Sequence, residues 1–242
     1  MRTIRIYQPG HHQLGQTLTL TEAAAQHVGL VLRLTEGANI TLFCGDNYEY
    51  QAVITSIHKR RIQVCIETVT LVNRESPRAI HLAQSIAKGD KMEWIIQKAV
   101  ELGVSSITPL VTDRSVVRLD ANRLEKKQQQ WQAISISACE QSGRNHIPNI
   151  HPASSFEHFL QHSSAQFKWM LSPQAQQSWP ELQETSAELA LLVGPEGGFS
   201  PQELTYAQQH QVQGICLGPR ILRTETAAIT AVGILQMLYG DL

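Results

Sequence analysis

Two rhythms in the 242-residue sequence predict an α/β protein preceded by a small β module. From Ala79 onward, apolar runs that read as strands alternate with segments of helical spacing, the pattern of a mostly parallel sheet covered by helices. Before that point, within residues 1–72, β-rich runs follow one another closely, as in a small barrel or curled sheet. The last two expected strands each feed a glycine-containing loop and then a helix, which is where open α/β sheets bind ligands.

In the first part the expected strands are Thr17 to Leu20, Asn39 to Phe43, Tyr50 to Ile57 and Ile62 to Val69. They are bounded by Gly45-Asp46-Asn47 and His58-Lys59-Arg60-Arg61, and a short helix, Glu22 to Val28, starts behind Thr21 as N-cap. Polar Asn73-Arg74-Glu75-Ser76-Pro77 reads as a linker, giving domains over 1–72 and 73–242. Ile80 to Ile86 is then a strand and Ala87-Lys88-Gly89-Asp90 a loop. Met92, Ile95, Ile96, Ala99 and Leu102 mark a helix that Gly103 ends, and Ile107 to Val111 completes a βαβ unit. A polar helix runs from its N-cap Asp120 to Ser142. Phe167 to Leu171, Leu189 to Val193 and Ile215 to Leu217 are buried strands, and Ala227 to Tyr239 is an apolar, buried helix.

Composition removes several classes of function. Apolar residues make up 42% and charged residues 17%, against disorder. The apolar stretch at Ala227–Tyr239 is too short to cross a bilayer, and the N-terminus lacks the apolar core of a secretory signal. Cys44, Cys65, Cys139 and Cys216 show no metal-ligand spacing and none of the ten histidines is assigned to metal, so a reduced cytoplasmic protein without a metal is expected. The net charge of −1 conceals an uneven distribution: +1 over residues 1–72, +3 over 73–150 and −5 over 151–242. A polyanion would meet the first two segments, where Lys59, Arg60 and Arg61 sit at a hairpin tip. Arg114, Arg118, Arg123, Lys126 and Lys127 follow the βαβ unit, and Arg144 follows the polar helix.

The sharpest local signal is Gly194-Pro195-Glu196-Gly197-Gly198-Phe199-Ser200-Pro201-Gln202-Glu203, in which a strand enters a glycine loop and Ser200, Pro201 and Glu203 form a capping box. It is neither a P-loop nor a dinucleotide fingerprint, so a nucleoside held by backbone groups is favoured over a triphosphate. The second is Leu217-Gly218-Pro219-Arg220-Ile221-Leu222-Arg223-Thr224-Glu225-Thr226, where Arg223 and Glu225 are costly beside an apolar helix unless paired or facing a cavity.

These motifs resemble those of the bacterial 16S ribosomal RNA uridine-N3 methyltransferases (RsmE type) of the SPOUT superfamily. The resemblance covers nearly the whole chain. It includes His27 with Val31-Leu32-Arg33-Leu34, Lys88-Gly89-Asp90-Lys91-Met92-Glu93-Trp94, Gln97-Lys98-Ala99, Glu101-Leu102-Gly103-Val104, Arg114-Ser115-Val116, Glu140-Gln141-Ser142-Gly143-Arg144 and both glycine loops. It implies a PUA-like β-barrel, then a methyltransferase domain with a C-terminal trefoil knot, and a homodimer using S-adenosylmethionine to methylate one uridine near the decoding centre of the small ribosomal subunit. On that reading Leu171, Gly194, Glu196, Gly197, Gly198, Leu217, Gly218, Ile221, Leu222 and Thr226 hold the donor, with the amides of Gly197, Gly198 and Gly218 as hydrogen-bond donors. Arg33, Lys59, Arg60, Arg61, Lys88, Lys91, Arg114 and Arg118 contact RNA. Arg144 with Arg223 stabilises charge on the uracil carbonyls, and Glu225 or Glu140 accepts the N3 proton. A ribose 2′-O-methyltransferase of the same superfamily and a non-catalytic RNA-binding assembly factor are the competing readings.

Overall fold

The computed structural model describes residues 4–115, 120–175, 179–180 and 187–242; Arg118 and Val116 therefore lie outside the described residues. The chain divides into two compact units, Met1–Glu75 with Cys139–Ile147, and Ser76–Ala138 with Pro148–Leu242. This division differs from the boundary read at 72/73 because a distant segment joins the first unit. Asn145 Nδ2 donates to the Val72 carbonyl at 2.7 Å, and the Arg144 guanidinium binds the Glu75 carboxylate.

In the first unit, β1 (Arg5–Tyr7), β2 (Thr17–Thr19), β3 (Asn39–Phe43), β4 (Tyr48–His58) and β5 (Arg61–Leu71) form one sheet in the order β1-β3-β4-β5-β2. The β1–β3 pair is parallel and the others antiparallel. Alternation along β4 and β5 puts Tyr50, Ala52, Ile54, Ile62, Val64 and Ile66 on the inner face. Two register shifts between these strands bend the hairpin around that face. Helix α1 (Glu22–Gln26), capped by Thr21, and a π-helical turn at His27–Val31 add Ala24, Ala25 and Val28 to the core. The helix read as Glu22 to Val28 thus ends earlier and widens into that turn.

In the second unit, β6 (Ile80–Ser85), β7 (Ser106–Val111), β8 (Asn149–Ile150), β9 (Ser154–Ser155), β10 (Phe167–Leu171), β11 (Leu189–Val193) and β12 (Gln213–Ile215) pair in parallel in the order β12-β10-β11-β6-β7-β8, with β9 also on β7. Helices α2 (Lys91–Glu101) and α6 (Thr224–Tyr239) pack together, while α4 (Phe156–His162) packs against α5 (Pro201–Gln209). Helix α3 (Ala121–Ser142) starts where expected, with the Arg123 amide donating to Asp120 Oδ1 at 2.8 Å. Phe156, Phe159, Leu160, Met170, Leu192 and Phe199 form one core of this unit. The largest shifts are at the C-terminal end: the last strand runs Gln213–Ile215, leaving Cys216 and Leu217 in a loop, and α6 starts at Thr224 rather than Ala227.

Candidate active site

The sheet order puts a reversal of winding at β6 and β11. The chain leaves β6 toward β7 on one side and later returns on the other with β10, β11 and β12, so the winding reverses between β6 and β11. Ligands of such sheets bind beyond the strands' carboxyl ends at that reversal. Three connections emerge there: residues 86–90 after β6, 194–200 after β11 and 216–223 after β12. Thr224 ties them together, its hydroxyl donating to the Gly194 carbonyl at 2.7 Å and accepting from Gln84 Nε2 at 3.0 Å.

The loop after β11 is rigid by construction. The Gly198 amide donates to the Pro195 carbonyl at 2.9 Å, closing a turn in which Gly198 has φ +67°. A Cβ on Gly194 would lie 3.2 Å from the Phe199 ring, so a side chain there would have to push the ring back by a few tenths of an ångström. Ser200 Oγ accepts from the Glu203 amide at 3.2 Å, and Glu203 Oε2 accepts from the Ser200 amide at 2.7 Å, completing the expected capping box. Its reach was not legible in sequence: Ser200 Oγ also donates to Asp113 Oδ2, and Glu203 Oε1 accepts from the Asp113 amide at 3.0 Å.

Charged groups converge on the same end of the sheet. Lys91 Nζ lies 3.5 Å from Glu196 Oε1 and 3.3 Å from Glu225 Oε2. Burial pushes the Glu196 carboxyl up, but its own amide, the Lys88 amide and the Lys91 ammonium outweigh that and hold it below the usual carboxylate range. Glu225 Oε2 is buried and accepts no hydrogen bond among the described residues. Arg223, exposed, is the residue before α6.

The expected donor-site residues lie on this end of the sheet: Leu171 at the end of β10, Gly194, Glu196, Gly197 and Gly198 after β11, Leu217, Gly218, Ile221 and Leu222 after β12, and Thr226 in the first turn of α6. One expectation about them is corrected, since the Gly198 amide is spent on Pro195. The amides of Gly197 and Gly218 donate to no described group. The catalytic expectations divide. Arg223 and Glu225 are here, whereas Arg144 and Glu140 belong to the first unit. Arg144 is buried against Glu75, and Glu140 Oε1 accepts from the Tyr7 amide at 3.0 Å. Among the expected RNA contacts, Arg33, Lys59, Arg60, Arg61 and Lys88 are exposed. Arg114, exposed as well, also donates to the Gly197 carbonyl at 2.9 Å, and Lys91 pairs with the two carboxylates. No cluster of three or more metal-ligating side chains occurs among the described residues. His158 and His162, an i, i+4 pair on α4, face each other with ring centroids 4.0 Å apart.

A family model described as an RNA methyltransferase domain matches residues 74–236, and one described as an RNA methyltransferase PUA domain matches residues 20–67. The ribosomal RNA small subunit methyltransferase E of Buchnera aphidicola (subsp. Schizaphis graminum) is 38% identical, with 100% of this chain and 98% of that protein aligned. Its counterpart in Bacillus subtilis is 33% identical over 93% of each. A methyltransferase structure from Legionella pneumophila, solved with S-adenosylmethionine bound, is 48% identical and covers both chains fully at a TM-score of 0.97. The ribosomal RNA small subunit methyltransferase E of Neisseria gonorrhoeae, also solved with S-adenosylmethionine, is 37% identical over the full length of both at 0.92. Carried by both units and by the glycine loops alike, these matches show that the chain belongs to the ribosomal RNA small subunit methyltransferase E family.

Proposed function

We propose that the protein transfers the methyl group of S-adenosylmethionine to N3 of one uridine of 16S ribosomal RNA near the decoding centre. The residues at the carboxyl end of the sheet fit the donor. A Cβ built on Gly198 or Gly218 meets no described atom within 4 Å, so both loops offer bare backbone to a ligand, and the amides of Gly197 and Gly218 are available to it. Ser85 Oγ and Gln84 Oε1, at the end of β6, are buried without a hydrogen-bond partner among the described residues, polar capacity that a bound molecule or water would use. The donor supplies a methyl group already activated on a sulfonium, so the protein's task is alignment and removal of one proton.

The observation that carries the reading is Glu225 Oε2, buried beside the donor loops and without a hydrogen bond among the described residues. Uridine N3 must lose its imide proton as the new N–C bond forms, and this carboxylate, ion-paired with Lys91 but accepting no hydrogen bond among the described residues, is the acceptor for it. Arg223, two residues away, supplies positive charge to a uracil carbonyl. The exposed Arg33, Lys59, Arg60, Arg61 and Lys88 bind the RNA backbone, and the uridine leaves its stack to be methylated. Trp94 on α2 and Met237 and Leu238 on α6 are exposed although these helices pack together, which supports a homodimer covering them. The strand order β12-β10-β11, followed by the return of α6 to Gly194, supports a knotted C-terminal segment. A substrate of this kind places the protein in the cytoplasm, where small subunits are assembled.

Labelled methyl transfer to unmodified small subunits, followed by mass spectrometry of the nucleosides, tests the assignment. The expected product is 3-methyluridine at one position. A 2′-O-methylated nucleoside selects the ribose reading, and no transfer at all selects the non-catalytic one.

A further inference from the structure

Lys91 occupies a place that local helix energetics disfavour. It is the first residue of α2, where the helix dipole repels a cation, and its N-cap Asp90 makes no side-chain capping bond. What compensates is the pair of carboxylates, Glu225 on the first turn of α6 and Glu196 in the loop after β11. All three side chains retain appreciable exposure, 34% for Lys91, 32% for Glu196 and 17% for Glu225, and ion pairs so placed add little to stability. Local rules are broken in this way at working sites more often than in scaffolding. The backbone of the α6 entrance is already fixed by Thr224 against Gly194 and Gln84. The Glu225 side chain has no comparable anchor, since the ammonium at 3.3 Å is an ion pair and its Oε2 takes no hydrogen bond from any described group.

We propose that Lys91 is a positioning residue for methyl transfer, its ammonium holding the Glu225 carboxylate in the reacting geometry and linking it to Glu196 of the donor loop, rather than a contact to RNA phosphate. The inference rests on Glu225 being the proton acceptor. A lysine serves this purpose because its compact charge can sit between two carboxylates without claiming both oxygens of either.

Four variants of the intact protein, Lys91→Gln, Lys91→Arg, Glu225→Gln and the double Lys91→Gln/Glu225→Gln, test it on unmodified small subunits at saturating donor, with thermal melts as folding controls. Lys91→Gln is expected to melt as the parent does and to lower kcat about tenfold or more, since misplacement by an ångström can cost up to about a hundredfold. KM for the subunit stays within about twofold, Lys91→Arg, which keeps the charge but can claim both Glu225 oxygens, recovers only part of the rate, and the double variant is scarcely slower than Glu225→Gln alone. Normal kcat with a raised KM and a salt slope of RNA binding reduced by about one identifies a phosphate contact and overturns the proposal. Losses that multiply in the double variant overturn it as well, because Lys91 then acts independently of Glu225. A fast Glu225→Gln enzyme removes the proton-acceptor reading and this inference together, whereas a slow Glu225→Gln with a normal Lys91→Gln removes only the inference.

Discussion

Two of the clusters in which the chain gathers opposite charges use them differently. In the first unit, Arg5, Glu49, Arg74, Glu75 and Arg144 interlock: Arg5 and Arg74 both reach Glu49, and Arg144 grips Glu75. The guanidinium nitrogens also go to fixed acceptors, although Arg5 Nε is buried without a hydrogen-bond partner among the described residues. Arg74 Nη1 donates to the Gly143 carbonyl at 2.9 Å, and Arg5 Nη2 to the Arg144 carbonyl at 3.1 Å and to Asn145 Oδ1 at 2.6 Å. In the second unit a single flexible ammonium stands between Glu196 and Glu225 at ion-pair distances. Planar, many-armed arginine suits a joint, whereas lysine suits a charge that must hold a carboxylate without using up its oxygens. The Glu140-Gln141-Ser142-Gly143-Arg144 motif reads as chemistry in the sequence, yet the Glu140 and Arg144 side chains and the Gly143 and Arg144 carbonyls hold residues 139–147 to the first unit.

The largest expected effect strikes the joint. Arg144→Ala leaves Glu75 without its counter-ion in a mostly buried setting, and breaking one partner of such a pair costs about 3–5 kcal/mol. Calorimetry should show the drop, and kcat per folded molecule, measured well below the new melting temperature, should stay near that of the parent. Replacing both partners, Arg144→Met with Glu75→Leu, should recover most of the loss. A stable Arg144→Ala protein that turns over slowly would reverse the comparison and return Arg144 to catalysis.

Acid separates the units by pH window. Burial, with a smaller effect from the stacked His151 ring, lowers the His81 pKa to about 4 from 6.5. The unfolded chain therefore binds a proton at His81 that the folded chain refuses. Stability of the second unit is complete above about pH 6.5, falls as pH drops from there to about 4, and then levels, with a slope of at most about 1.4 kcal/mol per pH unit. In the first unit, burial raises the Glu49 pKa, but the Arg74 hydrogen bond and the Arg5 charge outweigh it and the net value is lowered. Its contribution is present above the ordinary glutamate range and is lost only below it. Hydrogen exchange at pH 5.5 against pH 7.5 should thus deprotect β6, β7 and β11 before β4 and β5, and His81→Gln should flatten the difference.

How much of this was legible in sequence follows from the range of the interactions. Leu189–Val193, buried at every position, announced its strand, and Ser200-Pro201-Gln202-Glu203 announced its helix, because both signals are local. The three-residue β1 was missed, since its pairing with β3 lies more than thirty residues away and its own residues carry no alternation. The first turn of α6, Thr224-Glu225-Thr226, was read as loop because it is polar; what makes it helix is Thr224 bonded to Gly194. The glycine loops were located, but not the partners of the charges in the motifs. Glu75 meets Arg144 across 69 residues and Glu196 lies 105 residues from Lys91, so the same residue types could be assigned to RNA, to catalysis or to packing with equal local support.

Glycines with positive φ separate the two units by a smaller effect. Gly218 in the second unit has φ +107°, and Gly143 in the first has φ +85°. An alanine at either position strains the backbone by about 1–2 kcal/mol. Neither Cβ is crowded, the nearest atom to that of Gly143 being Arg74 Cδ at 3.8 Å and that of Gly218 meeting nothing within 4 Å. Both variants should therefore melt lower by similar amounts. Only Gly218→Ala places a methyl group in space offered to the donor, so titration calorimetry with S-adenosylmethionine should show about tenfold weaker binding for it and unchanged binding for Gly143→Ala.

The helix caps give the finest discrimination. Thr21 caps α1 with one long bond, from the Ala24 amide to Oγ1 at 3.3 Å, whereas Ser200 caps α5 within a reciprocal box that continues into Asp113. An N-cap serine or threonine replaced by alanine costs about 0.5–2 kcal/mol, with isolated and poorly aligned caps at the low end. Ser200→Ala should therefore cost about 1–2 kcal/mol and Thr21→Ala about 0.5. Because α5 begins where the loop after β11 ends, the Ser200 variant should also loosen the turn that presents Gly197 and Gly198, weakening donor binding by a small factor in parallel with stability. The Thr21 variant should leave donor binding untouched. If both caps cost the same and neither moved donor affinity, α5 would serve the sheet alone, and the order in the donor loop would come from Thr224 and the Gly198–Pro195 turn.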